Sequence, residues 1–230
     1  MVIGKGLVAN AFNRYNDDDR YLVFASGVSN SANKDELHFQ REAILLAEAL
    51  QKNKEKIFIY FSTCSLYDPS LTGIPYVKHK LAMEKMINEQ HGHYHIFRIS
   101  NLAGKTNNPH TVVNFFFQHI ASGTTFHIWK HAARNIIDID DAVIICDHII
   151  SNDLFVNETI NIANPYNYSV AFIIETMEEI LCKKGVYDVI EKSSIPEINT
   201  EAISSVIDLL NIQFNEGYLQ RTLKKYYSGS

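Results

Sequence analysis

Short apolar runs alternate along this chain with longer stretches that carry apolar residues at helical spacing. Tyr21–Ala25 (YLVFA) and Ile57–Phe61 (IFIYF) are continuous and rich in aromatic and β-branched residues, as buried strands are. Helical patterns over Asp35–Lys52 and Tyr76–Glu89 follow these two runs. Since strand–helix–strand units place successive strands in parallel, the alternation predicts an α/β fold with helices on both faces of a mostly parallel sheet.

The remaining segments extend this pattern to the end of the chain. We predict further strands over Met1–Ile3, His95–Ile99 and Thr159–Ala163, and further helices over Leu7 to about Tyr15, Thr111–Ser122, Asp140–Ile150, Ser169–Lys184, Thr200–Leu210 and Asn215–Tyr227. We expect residues 1–165 to form the sheet domain, and residues 166–230 to form a small, mostly helical C-terminal lobe.

Composition excludes several classes of protein. With 230 residues, 46% of them hydrophobic, the chain can bury a sizeable core, and its formal net charge of -5 offers no basic field for nucleic acid. No segment has the apolar length of a membrane span, and the short apolar N-terminus lacks the flanks of a signal peptide. Cys64, Cys146 and Cys182 are too widely spaced for a disulfide framework or a zinc site, which favours a reducing cytoplasm.

Glycines follow the first predicted strand. The pattern is Gly4-x-Gly6-x-x-Ala9, with Leu7 and Val8 between the second glycine and the alanine. Glycines at a strand–helix junction let the backbone turn tightly and approach a pyrophosphate, and a small third residue allows close helix–strand packing. The pattern favours nucleotide binding, although a tight turn with no ligand is the simpler alternative.

Two further groups of residues could carry chemistry. Tyr76 and Lys80 are four residues apart, so they share one face of a helix, where an ammonium favours the phenolate form of a nearby tyrosine. Such a tyrosine can exchange a proton with a carbinol or carbonyl oxygen. Thr63, Cys64 and Ser65 follow a predicted strand at the sheet edge where ligands gather in open α/β folds. Alternatively, the first pair is an ordinary helix surface, and the second group caps a turn.

Taken in this order, the three motifs resemble the extended short-chain dehydrogenase/reductases, also called the NAD-dependent epimerase/dehydratase family. The resemblance continues in Arg98-Ile-Ser-Asn101-Leu-Ala-Gly104, in the segment Arg134–Ala142, which is similar to the family's R-D-F-I-H-V-D-D, and in Asn161-Ile-Ala163. It runs from Met1 to about Tyr227.

The resemblance implies a fold, an activity and a cofactor. The fold is a shortened, Rossmann-like doubly wound parallel sheet in which residues 1–165 bind NAD or NADP, 101–135 contribute to the substrate lobe, and 166–230 complete that lobe. The activity is that of an oxidoreductase or epimerase acting on a nucleotide-linked sugar, within surface polysaccharide biosynthesis. A homodimer is the assembly that the resemblance suggests, and neither a membrane nor a metal is involved.

Individual roles are carried over from the family motifs. Tyr76 is the general acid/base, Lys80 holds the cofactor ribose and lowers the tyrosine pKa, and Thr63 contacts the substrate oxygen. The remaining assignments divide into two sets: cofactor contacts at Gly4, Gly6, Leu7, Val8, Ala9, Phe24, Ala25 and Ser26, and substrate contacts at Cys64, Ser65, Asn101 and Arg134.

Two departures from the family qualify this interpretation. Only Asn16–Arg20 separates the first predicted helix from the second strand, so the family's usual second strand, helix and third strand are missing, and with them the residue that reads the adenosine ribose. Asp17, Asp18 and Asp19 are acidic but fit a solvated turn better than a ribose site. The family's dehydratases carry Asp-Glu after the threonine, where this chain has Cys64 and Ser65, so a dehydratase is not expected.

Three alternatives stay open from the sequence. The alternating His91, His93 and His95 fit a polar strand start better than a metal site. A non-catalytic nucleotide- or sugar-binding member of the fold is the main competitor to an enzyme, because of the missing segment. A structural subunit that pairs with a full-length enzyme is the third.

Overall fold

The computed structural model describes residues 1–228, so the last two positions of the predicted C-terminal lobe lie outside the described residues. Its strands are β1 (Val2–Ile3), β2 (Tyr21–Phe24), β3 (Ile57–Thr63), β4 (Tyr94–Ile99), β5 (Asn101–Ala103), β6 (Phe126–Asp138), β7 (Glu158–Ile162), β8 (Asn167–Ser169) and β9 (Tyr187–Ser194). Its α-helices are α1 (Leu7–Ala11), α2 (Glu36–Lys52), α3 (Pro75–Gln90), α4 (Val112–Ser122), α5 (Ile139–Ser151), α6 (Val170–Leu181), α7 (Ser204–Leu209) and α8 (Tyr218–Tyr227). Among these residues, no helix is both long and apolar enough to cross a membrane.

A five-stranded parallel sheet forms the centre of the fold, in the order β1-β2-β3-β4-β7. Alternate side chains of its strands enter two different cores, as the pleat requires. Val23, Ile59 and Phe97 face the core that contains α5 and α7. Leu22 and Phe58 face the core under α2 and α3. Helices therefore cover both faces of the sheet, and the predicted Rossmann-like α/β class is confirmed.

Strand β1 is the edge of this sheet, because β2 is its only partner among the described strands. The predicted helix over Leu7 to about Tyr15 ends at Ala11, and a 3-10 turn over Asn13–Asp17 folds back against the edge. There the Asn16 side chain accepts a hydrogen bond from the outward-facing Val2 N–H at 3.0 Å. The Met1 ammonium donates to the carbonyl of Tyr15 at 2.6 Å. The turn thus occupies the position where a further strand would pair.

A second, smaller sheet joins the C-terminal part of the chain to the central sheet. Strand β6 pairs with β5 and β9 in parallel and with β8 in antiparallel orientation. Helices α4, α6 and α8 pack around it in a core of their own. None of the strands β5, β6, β8 and β9 was predicted. The alternation in β6 is broken by exposed Lys130 and His131, and the register shift between Trp129 and His131 explains that break.

Helix starts agree with the sequence signals where a polar residue precedes an apolar stripe. Asp35, Thr111 and Ser169 each accept a hydrogen bond from a first-turn N–H of α2, α4 and α6. Helix α5 is capped by Asp138, so it begins at Ile139, one residue before the predicted start at Asp140. Its first turn is then held to α8, because Lys225 bonds Asp138 and Asp140 at 2.9 and 2.6 Å.

Candidate functional site

One cavity of about 700 Å³ opens at the carboxyl ends of the central strands, where ligands of open α/β sheets bind. Its walls come from the β1–α1 loop, the end of β2, the end of β3, helix α3 and the segment after β4. Many of the residues assigned to the site from the sequence line it: Gly6, Leu7, Val8, Ala25, Ser26, Thr63, Cys64, Ser65, Tyr76, Lys80, Asn101 and Arg134. The topology therefore brings the three predicted motifs to one place.

Tyr76 and Thr63 bring their hydroxyl groups to this cavity from different elements. Tyr76 lies in the first turn of α3, which begins at Pro75, a residue whose fixed φ suits the first helical position. Its side chain is 6% exposed, and no group in residues 1–228 shares a hydrogen bond with its hydroxyl. Thr63 ends β3, and its hydroxyl donates to Ser65 Oγ at 2.9 Å and accepts from the Ser65 N–H at 3.0 Å.

Lys80, one turn beyond Tyr76, is held by groups that lie behind the cavity wall. Its ammonium donates to Glu42 Oε1 at 2.9 Å and to the Tyr60 hydroxyl at 3.2 Å. The Tyr60 ring lies below it, with the ammonium 5.1 Å from the ring centroid. The lysine is only 3% exposed, so it is a buried cation with a buried counter-charge. The sequence indicated neither of these partners as part of the site.

The glycine loop shows two different roles for its small residues. Gly4 has φ of +142°, and a Cβ there would lie 2.3 Å from the Ala25 carbonyl oxygen, so only glycine fits against the end of β2. A Cβ on Gly6 would meet nothing within 4 Å, so this position opens onto the cavity. Ala9 is buried beside Gly4 and does not line the cavity. The Phe24 side chain is buried in the core under α2, so only its backbone lies near the site.

Cys64 and Ser65 differ in their ability to meet a ligand. Both line the cavity, but the Cys64 thiol is buried and donates to the Arg98 carbonyl. Burial raises the pKa of the Cys64 thiol well above its usual range, although Arg98 opposes this shift. A thiol that stays protonated and hydrogen-bonded cannot act as a base at neutral pH. Ser65, in contrast, offers a hydroxyl next to that of Thr63.

Asn101 and Arg134 also line the cavity. The Asn101 amide donates to the carbonyl of Asn135 at 2.8 Å, which leaves its side-chain oxygen without an assigned partner in residues 1–228. The Arg134 guanidinium lies 3.5 Å from the Asp68 carboxylate and donates to the backbone carbonyl of the adjacent Ala133. Burial raises the pKa of Asp68, but hydrogen bonds from Ser194 and Ser70 outweigh it and hold that pKa below its usual value. Asp68 is therefore an ionised partner for Arg134.

Two of the family-like motif positions form a support behind the cavity. Arg98 makes a two-pronged ion pair with Glu84 of α3, with nitrogen–oxygen distances of 2.9 and 2.6 Å. Arg98 also donates to the Tyr67 hydroxyl, which donates to Asn161. This network joins α3 to β4 and β7, so it fixes the helix that carries Tyr76 and Lys80.

Two aspartates of the acidic turn form ion pairs on the surface, and His95 is packed in the core. Asp18 pairs with Arg20, whose hydrogen bonds lower the pKa of Asp18 to about 2, and Asp19 lies 3.5 Å from Lys56. Within residues 1–228 no group of three or more His, Cys, Asp or Glu side chains is placed to hold a metal ion. His95 is fully buried in β4 and stacks on the Phe97 ring.

Among the polar residues near the cavity that sequence reasoning missed are Lys5, Arg41, Glu42 and Tyr60. Lys5 and Arg41 line its mouth, and Arg41 donates to Ser26 at 3.0 Å. Glu42 and Tyr60 lie behind it. Glu42 carried a signal that could have been used: it occupies the buried stripe of α2 four residues before Leu46, where an apolar residue is usual. A carboxylate in such a stripe needs a buried partner.

Comparison with known proteins places this geometry in a family. The model of the NAD dependent epimerase/dehydratase family matches residues 21–163, which is more than half of the chain. The chain belongs to this family of NAD-dependent enzymes, as its motifs suggested. The expected cofactor class agrees with the family's description. A search of curated proteins finds none that matches the chain.

Several solved structures share the fold at low sequence identity. The UDP-glucuronic acid 4-epimerase of Bacillus cereus, solved with UDP-glucuronic acid and NAD, is 20% identical, with a TM-score of 0.72 over 95% of this chain and 77% of that one. The UDP-N-acetylglucosamine 4-epimerase of Methanobrevibacter ruminantium is 18% identical, with a TM-score of 0.69 over 95% and 78%. The dTDP-glucose 4,6-dehydratase of Bacillus anthracis, solved with NAD, is 16% identical, with a TM-score of 0.68 over 96% and 77%.

Proposed function

We propose that this chain is an NAD- or NADP-dependent oxidoreductase or epimerase that acts on a nucleotide-linked sugar, with Tyr76 as the general acid/base. The observation that carries the proposal is the convergence of Tyr76, Thr63 and Lys80 on one cavity beside the glycine loop. The three residues come from two separate elements, α3 and the end of β3, so chance spacing along one helix does not account for the cluster.

The residues present fit one half of a dinucleotide better than the other. Gly4 brings the β1–α1 loop against the end of β2, Gly6 leaves open space for a diphosphate, and Lys5 and Arg41 place positive charge at the mouth. Ala25, Ser26 and Lys80 would flank the nicotinamide ribose. On the adenosine side, β1 is the edge of the sheet, so none of the described strands supplies the carboxylate that normally binds the ribose 2′-hydroxyl.

The proposed chemistry assigns each side chain a distinct task. When bound, the nicotinamide supplies the carbon that takes a hydride from the sugar and returns it. Tyr76 Oη takes the proton of the sugar hydroxyl during oxidation and gives it back during reduction. Thr63, whose hydroxyl now donates to Ser65, would turn that hydrogen toward the same sugar oxygen and stabilise its developing charge. Asn101 and Arg134, which also line the cavity, would contact the sugar or its diphosphate.

Epimerase or reductase chemistry is favoured over dehydration. Elimination of water needs a carboxylate or a comparable group to remove and deliver protons. Cys64 is committed to the Arg98 carbonyl, and burial raises the pKa of its thiol, so it cannot serve as that base. The solved structures that share the fold include a dehydratase, but at 16% identity that likeness reports the fold alone.

The decisive experiment is the Tyr76→Phe variant. We expect it to keep the fold and dinucleotide binding while its turnover of a nucleotide-linked sugar falls by about 10²–10⁴-fold, the usual contribution of a positioned acid/base. Undiminished turnover in the Tyr76→Phe variant would refute Tyr76 as the general acid/base. Binding of neither NADH nor NADPH by the wild-type chain at millimolar concentration would instead favour a non-catalytic member of the fold, the alternative suggested by the open adenosine side.

The setting of the protein is a further part of the proposal. We assign it to the cytoplasm and to the supply of precursors for surface polysaccharide, on the basis of its substrate class and of three cysteines that are all unpaired. A second copy of the chain is the proposed partner. Leu37 and Ile44, seven residues apart on α2, are 72% and 62% exposed and form an apolar stripe for it. Sedimentation of wild type and Ile44→Lys tests this: a monomeric wild type would contradict it.

A further inference from the structure

A fully buried carboxylate lies directly behind the wall of the cavity. Glu42 Oε1 accepts hydrogen bonds from Lys80 at 2.9 Å and from the Tyr60 hydroxyl at 2.8 Å. Glu42 Oε2 accepts from the Val28 N–H at 2.7 Å and lies 3.0 Å from His79 Nε2. Four partners, from α3, β3 and the loop after β2, fix both oxygens, so this carboxylate has little freedom to move.

Glu42 in turn determines where the Lys80 ammonium lies. A Cβ on Gly27 would come within 2.4 Å of Lys80 Nζ and 2.9 Å of Glu42 Oε1, so the ammonium lies pressed beneath this cavity-lining glycine. An ammonium carries three hydrogens. In residues 1–228, Glu42 and Tyr60 accept two of them, and the third has no protein acceptor. Lys80 lines the cavity, where a ligand hydroxyl would be that acceptor.

The charge of Glu42 compensates the charge of this buried ammonium. Without a counter-charge, a lysine that is 3% exposed is disfavoured in its charged form. Burial raises the pKa of Glu42, but the His79 hydrogen bond and the Lys80 charge outweigh it and hold that pKa well below the usual range. Glu42 is therefore ionised at neutral pH and above.

We propose that Glu42 is a positioning residue that holds the Lys80 ammonium against Gly27, with one N–H directed at the ribose hydroxyls of the bound dinucleotide. This rests on the proposed function, because it takes a dinucleotide as the ligand. Glu42 does not line the cavity and touches no ligand; it acts through Lys80. The titratable groups around the pair are His79, Tyr76 and Glu84 from α3 and Tyr60 from β3.

The first test measures how NADH binding depends on pH. Binding is monitored by the fluorescence of the nicotinamide between pH 6 and pH 9. We expect the affinity of the wild type for NADH to change little between pH 6 and pH 9. Glu42→Gln should bind about tenfold more weakly at pH 8, the loss of one charge-assisted hydrogen bond, and should recover toward pH 6 as Lys80 regains its proton. Glu48→Gln, on the exposed face of the same helix, is the matched control, and His79→Asn separates the imidazole's titration from that of Lys80.

A double-mutant cycle distinguishes positioning from a general structural effect. Lys80→Met removes the ammonium, so Glu42→Gln should weaken NADH binding little further in that background. An equal loss in both backgrounds would overturn the proposal, since Glu42 would then act without Lys80. A Glu42→Gln variant with wild-type affinity at every pH would overturn it as well.

A second measurement needs no cofactor. Acetic anhydride labelling, read by mass spectrometry, gives the reactivity of Lys80 relative to exposed Lys54. We expect Lys80 to be nearly inert in the wild type at pH 8 and at least tenfold more reactive in Glu42→Gln, because a lowered pKa frees the amine. If the wild type binds no dinucleotide, the proposed function fails, and unchanged labelling of Lys80 would separately refute the role of Glu42.

Discussion

His95 gives a prediction whose size follows from the structure. Its ring lies in the middle of β4, fully buried, and neither ring nitrogen has a hydrogen-bond partner in residues 1–228. Burial, with a smaller contribution from nearby His93, lowers the pKa of His95 from 6.5 to about 4. Below pH 6.5 the unfolded chain therefore takes up a proton that the folded chain refuses until about pH 4. Stability that is present at neutral pH is lost as the pH falls through this window.

The magnitude can be worked out from these two pKa values. Between pH 7 and pH 5, linkage gives a loss of about 2 kcal/mol in the free energy of unfolding from this one residue. His95→Leu replaces the imidazole by an apolar side chain that needs no partners. We expect the variant to lose this part of the pH dependence and to be more stable than wild type at pH 5 by about 2 kcal/mol or more.

Urea unfolding followed by circular dichroism at pH 7, 6 and 5 measures the difference between wild type and variant. Other groups also titrate in this range, but they cancel in that difference. His127→Leu is the control, because its side chain is largely exposed and its removal should leave the acid-induced loss unchanged. If His95→Leu and wild type lose the same free energy between pH 7 and pH 5, the reasoning about His95 is refuted.

Three further predictions test the fold and the site. Gly4→Ala should lower the free energy of unfolding by about 3 kcal/mol or more, because the new Cβ meets the Ala25 carbonyl oxygen at 2.3 Å, whereas Gly6→Ala should leave it nearly unchanged. Chemical denaturation measures both variants, and a Gly4→Ala protein as stable as wild type would contradict this expectation. Glu84→Gln should cost about 3 kcal/mol by leaving Arg98 without its carboxylate, measured in the same way, with exposed Glu89→Gln as the control. NADH and NADPH should bind within about threefold of each other in a fluorescence titration, because none of the described strands lies beyond the β1 edge to read the adenosine ribose. A hundredfold preference would show that some other residue does so.

The central sheet could be predicted because its strands are short apolar runs separated by long periodic helices. Ile57–Phe61 and Tyr76–Glu89 were placed within two residues of the ends of β3 and α3. The second sheet could not be predicted in the same way. Strand β6 bends at Trp129–His131 and takes different partners along its length, so no single alternation of buried and exposed residues describes it.

Some residues of the candidate site could be predicted from sequence spacing, and others depend on tertiary contacts. Thr63, Tyr76 and Lys80 stand at motif positions, so spacing along the chain was enough to select them. Glu42 and Tyr60 were not found, because their part in the site depends on α2 and β3 packing against α3, which is a tertiary contact. A charged residue inside an apolar helical stripe is the local sign of such a contact.

The closed edge at β1 also governs how this fold could be altered. Because Asn16 accepts the hydrogen bond of the outward Val2 N–H, β1 as described in residues 1–228 has no free backbone donor at this edge for a strand from another molecule to join. The short turn from Asn16 to Arg20 leads directly into β2. A segment inserted within this turn would leave every existing strand pair in place. The protein thus offers a natural position at which an adenosine-binding unit could be grafted and its effect on cofactor choice measured in isolation.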